Sequence, residues 1–407
     1  MMNQFRSLLE LKRQSPQAFS FGVCQLLLLG ALVASVTAGV SNTSTQSLRL
    51  PDYNTQPISV LPQYDDPRIV TDEQLVAVLD RLQPAFGRQQ PKINYVDHAL
   101  RFWGLETAFS DPNALSGSEM RSLLVDDSAF VAAWGEQTKP LLIPTEWGVN
   151  VRMQQGLATA SHVDHTLASL AETGTPLDHP MQLRNGTATV ESLLKHALSD
   201  FSLNQLEYEW TALALALYAP SAEKWVSKEG QDIDFNLLAK RLMRQRWSQG
   251  VCYGNHRLYT LTILLRVDDD HAILTAATRR DLLGHLTDVT RQLVAVQSIE
   301  GYWDETWARD GRLLEDESPE ARLRSRILAT GHALEWWAMA PEELHPPREV
   351  MVRAGQWLAR EIEVMDQETV LKNYTFLSHA GRALALWRGG VPCDVLKRLK
   401  VQPETGA

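Results

Sequence analysis

The sequence predicts an all-α fold arranged as a double ring of helices, and three observations carry that prediction. Between a linker-like segment and the C-terminal "VQPETGA" there is almost no strand-like alternation; apolar residues recur at three- and four-residue spacing, the mark of amphipathic helices. Helices with one charged face take turns along the chain with helices that carry little charge beyond their first turn. A helix apolar all round must be enclosed by protein, whereas a striped one faces water, so the alternation reads as outer and inner rings. Finally, Glu209 to His256 and His332 to His379 both span 47 residues, a period of repeating helical hairpins.

The elements follow in order. Residues 1–18 carry Arg6, Lys12 and Arg13 against one Glu10, and Phe19 to Val40 is a run of 22 residues without a charge. About 20 apolar residues span a bilayer, and the positive flank leaves the N-terminus cytoplasmic. Residues 19–40 therefore read as a transmembrane signal-anchor that exports the rest; the alternative is a signal peptide cleaved after Ala38 in "VTAG", which makes the protein secreted. Residues 41–68, rich in Ser, Thr, Asn, Gln and Pro, read as a linker, 69–395 as the helical domain, and 396–407 as a loose tail.

Within the domain the expected outer helices are Thr71 to Phe86, Ser116 to Trp134, Thr189 to Phe201, Asp234 to Trp247, Ala276 to Gln297 and Pro347 to Val364. The expected inner ones are Asn94 to Phe109, Ala160 to Glu172, Asn204 to Tyr218, Asn255 to Arg266, Thr330 to Met339 and Thr375 to Trp387. Two inserts carry strand signals. "HPMQLRNGTATV" (His179 to Val190) has Asn-Gly between short alternating runs, the cue for a type I′ hairpin, and Pro140 to Gly156 has room for a second pair.

Composition excludes some functions. A net charge of −10 leaves no broad basic face for nucleic acid, and "KRLMRQRW" has Leu and Met at helical spacing, as a solvated helix face does. Three cysteines, one of them Cys24 in the apolar run, do not make a disulfide scaffold; whether Cys252 and Cys393 pair is not readable from their spacing. Twelve tryptophans require a thick core or an aromatic-lined cleft.

The alternation resembles the (α/α)6 toroid of six-hairpin glycosidases, polysaccharide lyases and sugar epimerases, and of the related terpenoid-cyclase and prenyltransferase barrels. "QSIEGYW" (Gln297, Gly301, Trp303) is similar to the Gln-Gly-Trp motif of terpenoid cyclases, which implies a brace of helix ends and no catalysis. "TGHALEWW" (His332, Glu335, Trp336) resembles the Gly-His-x-x-Glu segment of sugar epimerases, while the Asp-rich motif of cyclases is missing: "VDDDH" has the wrong spacing. The resemblance covers about residues 70–390 as architecture. It implies that all inner helices run one way and gather their first turns at one mouth.

That arrangement makes the inner-helix histidines candidates. His98, His162, His256 and His332 lie near helix starts, His379 falls within a turn or so, and the third inner helix has Glu207 and Glu209 instead. The plain alternative for each histidine is a bond to a neighbouring carbonyl. Acid/base work is expected of His256, His332, Glu335 and Glu207, since glycoside hydrolysis needs two carboxyl groups and lyases or epimerases need a base beside a carbonyl. For Glu335 the plain alternative is a pairing with buried Arg or His; for Glu207 and Glu209 it is a helix-start charge. Trp303, Trp307, Trp336 and Tyr302 are candidates to stack on sugar rings, with Tyr253, Arg257, His162 and His379 bordering the mouth.

"GVCYGNHRLY" (Gly250 to Tyr259) is open to three readings. Cys252, His256 and a third ligand such as His332 or His379 would hold zinc, as Cys and His do in lanthionine cyclases and protein prenyltransferases, although neither the second Cys-His pair of the former nor the Asp-x-Cys of the latter is present. Cys252 would be a thiol nucleophile with His256 as its base. Or Asn255 caps the helix over a buried Cys252. The expected function is therefore carbohydrate chemistry or saccharide binding at the mouth of a membrane-anchored, extracytoplasmic toroid needing no cofactor; the alternatives are an envelope scaffold that binds protein and a zinc enzyme.

Overall fold

The computed structural model describes residues 50–401 apart from 154–155, 206, 248–249 and 309–317, together with Ser15, Gln25 and Leu29. The expected cytoplasmic segment, membrane helix and first part of the linker, like the last residues of the tail, fall outside the described residues. No helix among the described residues is long and apolar enough to cross a membrane.

The fold is all-α with three small hairpins. Fifteen α-helices are described: α1 (Asp72–Arg81), α2 (Ile93–Trp103), α3 (Gly117–Val125), α4 (Asp127–Trp134), α5 (His165–Glu172), α6 (Glu191–Asp200), α7 (Glu209–Tyr218), α8 (Phe235–Arg244), α9 (Asn255–His271), α10 (Ala276–Val296), α11 (Pro319–Met339), α12 (Arg348–Glu363), α13 (Gln367–Lys372), α14 (Tyr374–Leu386) and α15 (Pro392–Val401). The hairpins pair β1 (Leu142–Pro144) with β2 (Val149–Val151), β3 (Pro180–Leu183) with β4 (Gly186–Thr189), and β5 (Trp225–Val226) with β6 (Asp232–Ile233).

The nearly uncharged helices pack on one another in chain order: α2 on α5, α5 on α7, α7 on α9, α9 on α11, α11 on α14, and α14 back on α2. This closed circuit follows from their composition. Every residue of α7, "EWTALALALY", is buried, so neighbours must cover all its sides. The striped helices intervene in sequence; α8 buries Phe235, Leu238, Ala239 and Leu242 and leaves Lys240 and its arginines less covered. Small residues set the closest approach in the circuit. A Cβ on Gly331 in α11 would lie 2.9 Å from the Cα of Ala380 in α14, so the two backbones touch there.

Several boundaries differ from the sequence pattern. Ser116 to Trp134 is two helices, because Asp126 turns extended and its side chain caps Ser128. The second inner helix begins at His165 and the third at Glu209, each after an irregular lead-in. α11 starts at Pro319, so His332 lies well inside a 21-residue helix and not at its start. The β3–β4 turn is not type I′: Leu183 pairs with Gly186, and the positive φ falls on Gly186 and on neither Arg184 nor Asn185. The β5–β6 hairpin had no strand signal; its strands are two residues long. Gln297 donates to the carbonyls of Gly301 and Val350 and accepts from Arg353, while the Trp303 indole donates to Leu293, tying the end of α10 to α12.

Candidate functional site

Six histidines meet inside the circuit of inner helices. The His332 and His379 rings stack with centroids 3.9 Å apart, and His256 lies 5.0 Å from the first and 5.4 Å from the second. His98 and His165 stack at 4.4 Å, with His162 at 5.9 and 5.7 Å. The two triplets adjoin through His98–His379 and His162–His256, both at 5.5 Å. All but His162 are buried, and His162, Glu207 and Cys252 are the partly exposed members around this centre.

Local sequence explains these positions. His332 follows Gly331 and His379 precedes Ala380, so the backbone contact between those small residues brings the two imidazoles face to face. Before α9, Cys252 (φ 50°), Tyr253 (φ 58°) and Gly254 (φ 76°) are left-handed in succession, a costly path for two side-chain-bearing residues. A Cβ at Gly250 would lie 2.7 Å from the Cα of Gly254, so a glycine is required to close this turn. Asn255 does not cap the helix: Gly254 is the N-cap, and the Asn255 amide donates to the Cys252 carbonyl. Asp164, just before His165, is left-handed as well and accepts from Thr211.

The hydrogen bonds fix the tautomers. The Nδ1 of His98 is 2.8 Å from the Asn94 carbonyl, and that of His332 is 2.8 Å from the Leu328 carbonyl. A carbonyl only accepts, so both rings donate from Nδ1, which leaves Nε2 as the lone-pair nitrogen of a neutral ring. The Nδ1 of His379 bonds Glu335 at 2.7 Å, and that of His165 lies 3.0 Å from Asp97, which also accepts from Thr166. His162 approaches Glu207 at 3.3 Å. Burial, followed by the neighbouring histidines, holds His98 and His256 far below the ordinary imidazole range; burial also takes His379 far below it and His332 to about 4. These rings are neutral at physiological pH.

Among the described residues, several of their inner nitrogens have no partner. The Nε2 atoms of His165, His332 and His379 and both ring nitrogens of His256 are buried without a hydrogen bond, as are both carboxyl oxygens of Glu209. Burial raises the Glu209 carboxyl above its usual range. Burial pushes the Cys252 thiol up as well, reinforced by Glu207, Glu209 and Glu335. That opposes a thiolate formed by His256 acting as base, because a buried neutral imidazole is a weak proton acceptor. A bound cation stabilises a thiolate directly.

Beneath the histidines lies an ionic layer. Glu335 accepts from Arg101 at 2.8 Å and Arg382 at 2.6 Å, and Glu172 binds the same two arginines and the Tyr259 hydroxyl. Burial works against the Glu335 charge, but Arg101, His379 and Arg382 override it and hold the carboxyl far below its usual range. The plain alternatives therefore describe part of the site: Glu335 is paired, and His98 and His332 each satisfy a carbonyl. Outside the layer, α9 places Arg257 in a buried position beside the Arg246 carbonyl.

The sequence candidates divide into two groups. His98, His162, His256, His332, His379, Glu335, Glu207 and Cys252 come together. Trp303, Trp307 and Trp336 are buried among core side chains, and Tyr302 lies under the Arg326 guanidinium and against Trp357. Tyr253 donates to Glu305. His165, Arg101, Arg382, Glu172, Tyr259 and Asp97 were missed. The second histidine of "ASHVDH", the Asp97–Arg101 pair of α2 and the lone arginine of α14 were the signals. Cys252 and Cys393 are both free thiols.

Among the described residues two sets bring three ligand atoms within 4.8 Å of one another: Cys252, His256 and His332, and His332, Glu335 and His379. In the second set Glu335 is already engaged by two arginines and His379, and His332 has a single free nitrogen, so the first set is the usable one. No protein-family model, curated protein or solved structure matches the chain.

Proposed function

We propose that this chain is an (α/α)6 toroid whose centre is a zinc-dependent catalytic site with Cys252, His256 and His332 as ligands. One observation carries the reading: these donors converge within 4.8 Å while His332 Nε2 and both His256 nitrogens are buried and unpartnered. Apolar packing does not account for such atoms, because each unsatisfied buried polar group costs about 1–3 kcal/mol. The outer bond from His332 to the Leu328 carbonyl is the arrangement that orients metal-ligating histidines. Three protein ligands leave a fourth position open, the pattern of catalytic zinc, where the ion polarises a bound water or substrate oxygen.

The remaining groups take roles from their partners. His379, oriented by Glu335, stacks on the ligand His332 and holds that ring in place, and burial, which raises the Glu209 carboxyl, favours the form that donates a proton. His162 and Glu207 lie on the side open to solvent, where a substrate enters. The convergence of histidines from different inner helices favours chemistry over a scaffold whose centre is packing alone. For the substrate we retain a saccharide, on the architectural resemblance; the buried tryptophans lend it no stacking face. We also place the domain on the extracytoplasmic side, anchored by residues 19–40. Full-length protein purified in detergent without chelator should contain zinc by elemental analysis, and Cys252→Ser and His332→Gln should lose it. Wild-type protein that stays metal-free after dialysis against Zn²⁺ overturns the reading.

A further inference from the structure

We infer that a polar cleft beside the histidine centre is a saccharide subsite, with Trp147 at its rim. The inference deepens the saccharide reading of the substrate and rests on it, and not on the metal. The cleft encloses about 490 Å³, within the roughly 300–1,000 Å³ of ligand sites. One wall is the turn that carries His162 and His165: Asp164, between them, lines the cleft. Asp164 accepts from the Thr211 hydroxyl at 2.6 Å. Gln205 donates to that hydroxyl and, at 2.7 Å, to the Glu207 carbonyl. These bonds join the cleft wall to His162 and Glu207, the partly exposed pair at the edge of the centre.

The lining selects the class of ligand. Asn150, Asp164, Asp200, Asn204, Gln205 and Lys228 border the cleft. Carboxylates accept, an ammonium donates and carboxamides do both, so the wall matches a ligand whose hydroxyls donate and accept. Two carboxyl groups against one ammonium, itself paired with Asp200 at 3.4 Å, disfavour an anion. Among the described residues no three metal-ligating atoms converge on this wall. A sugar ring also presents a face of C–H groups, and apolar surface stands ready for it. Met153 lines the cleft and is half-exposed. Of the twelve tryptophans only Trp147 is exposed, at 43%. Its position is set by its neighbours. The Thr145 hydroxyl lies 3.2 Å from His196 Nδ1, and a Cβ on Gly148 would lie 2.1 Å from the Ser192 carbonyl oxygen. The β1–β2 turn therefore rests on α6 where His196 borders the cleft, and the indole offers a flat amphipathic face there. A chain of sugars with one unit in the cleft presents its next unit to His162 and Glu207, so binding of the first orients the second.

The test is titration of full-length protein, in a detergent without a sugar headgroup, with cellohexaose, chitohexaose and maltohexaose. The protein carries 5-fluorotryptophan, and Trp147→Phe identifies the fluorine resonance of Trp147. At least one hexasaccharide should bind saturably and shift that resonance. Trp147→Ala and Asn204→Ala, both at exposed positions, should each weaken that binding about tenfold, the size of one stacking or hydrogen-bonding contact. A hexasaccharide that binds with the Trp147 resonance unmoved and the affinity unchanged in both variants overturns the subsite and leaves the saccharide reading standing. No saturable binding of any of the three overturns both.

Discussion

The two ends of the same inner helices obey opposite rules. At one end, several polar groups have partners, the Thr175 hydroxyl excepted: the Trp387 indole donates to the carbonyl of Leu334, the Trp337 indole to Thr290, the Tyr218 hydroxyl to the carbonyl of Thr175 and the Tyr64 hydroxyl to that of Ala340. The space between them is filled by Leu213, Leu215, Leu264, Ala338 and Leu384. At the other end, imidazoles, a carboxyl and a thiol face one another with their inner atoms unpartnered. Helix capping differs as well. α1, α3, α8 and α10 begin with a Thr, Ser or Asp side chain bonded to the first turn, as α11 does with Ser318, whereas α2, α5, α7, α9 and α14, and also α6 and α12, have no such bond. A fold that needs only stability satisfies its buried polar groups; here several of the unpartnered ones gather among the histidines.

Substitutions should separate the two ends, and the largest effect belongs to the ionic layer that joins them. Glu335→Ala leaves the buried Arg101 and Arg382 with Glu172 as their one remaining shared carboxylate and should cost about 3–5 kcal/mol in denaturant unfolding. At the filled end, Leu264→Ala should cost about 2–5 kcal/mol with no change in metal content. Gly331→Ala presses a methyl on the Ala380 backbone; it should cost about 1–3 kcal/mol and, by moving His332 from His379, weaken zinc binding. At the open end the sign reverses. His256→Leu removes two unsatisfied nitrogens and should leave the metal-free protein as stable or about 1 kcal/mol more stable, while abolishing metal uptake. A large loss of stability in the metal-free variant would break the comparison. Smallest of all, Arg291→Ala cuts an exposed pair with Asp288 and should leave the melting temperature unchanged.

Much of the architecture was legible because helical burial leaves a periodic trace. The alternation of striped and uncharged segments located all six inner helices, and a histidine recurring on them marked the centre. Boundaries were less legible where tertiary packing overrides local pattern: the charged first half of α11 reads as loop beside its apolar second half. The tryptophans of "GYW" and "EWW" look the same in sequence whether they stack on a ligand or fill a core, and here they fill the core. Arg382 was visible as the single charge of an apolar helix, and Arg101 shares its helix with Asp97. Only the fold shows that both reach Glu335.

The sequence by itself determined the helical class, the sorting of helices by exposure, and the recurrence of histidines on the nearly uncharged helices, because each is written in the local order of apolar and polar residues. Tertiary structure alone decided which histidines face each other, which nitrogen each one keeps free, and that Cys252 joins His256 and His332. Those outcomes depend on contacts between residues far apart in the chain, such as His98 and His379, on the close approach of Gly331 to Ala380 and on three successive left-handed residues. None of these has a periodic signature along the chain.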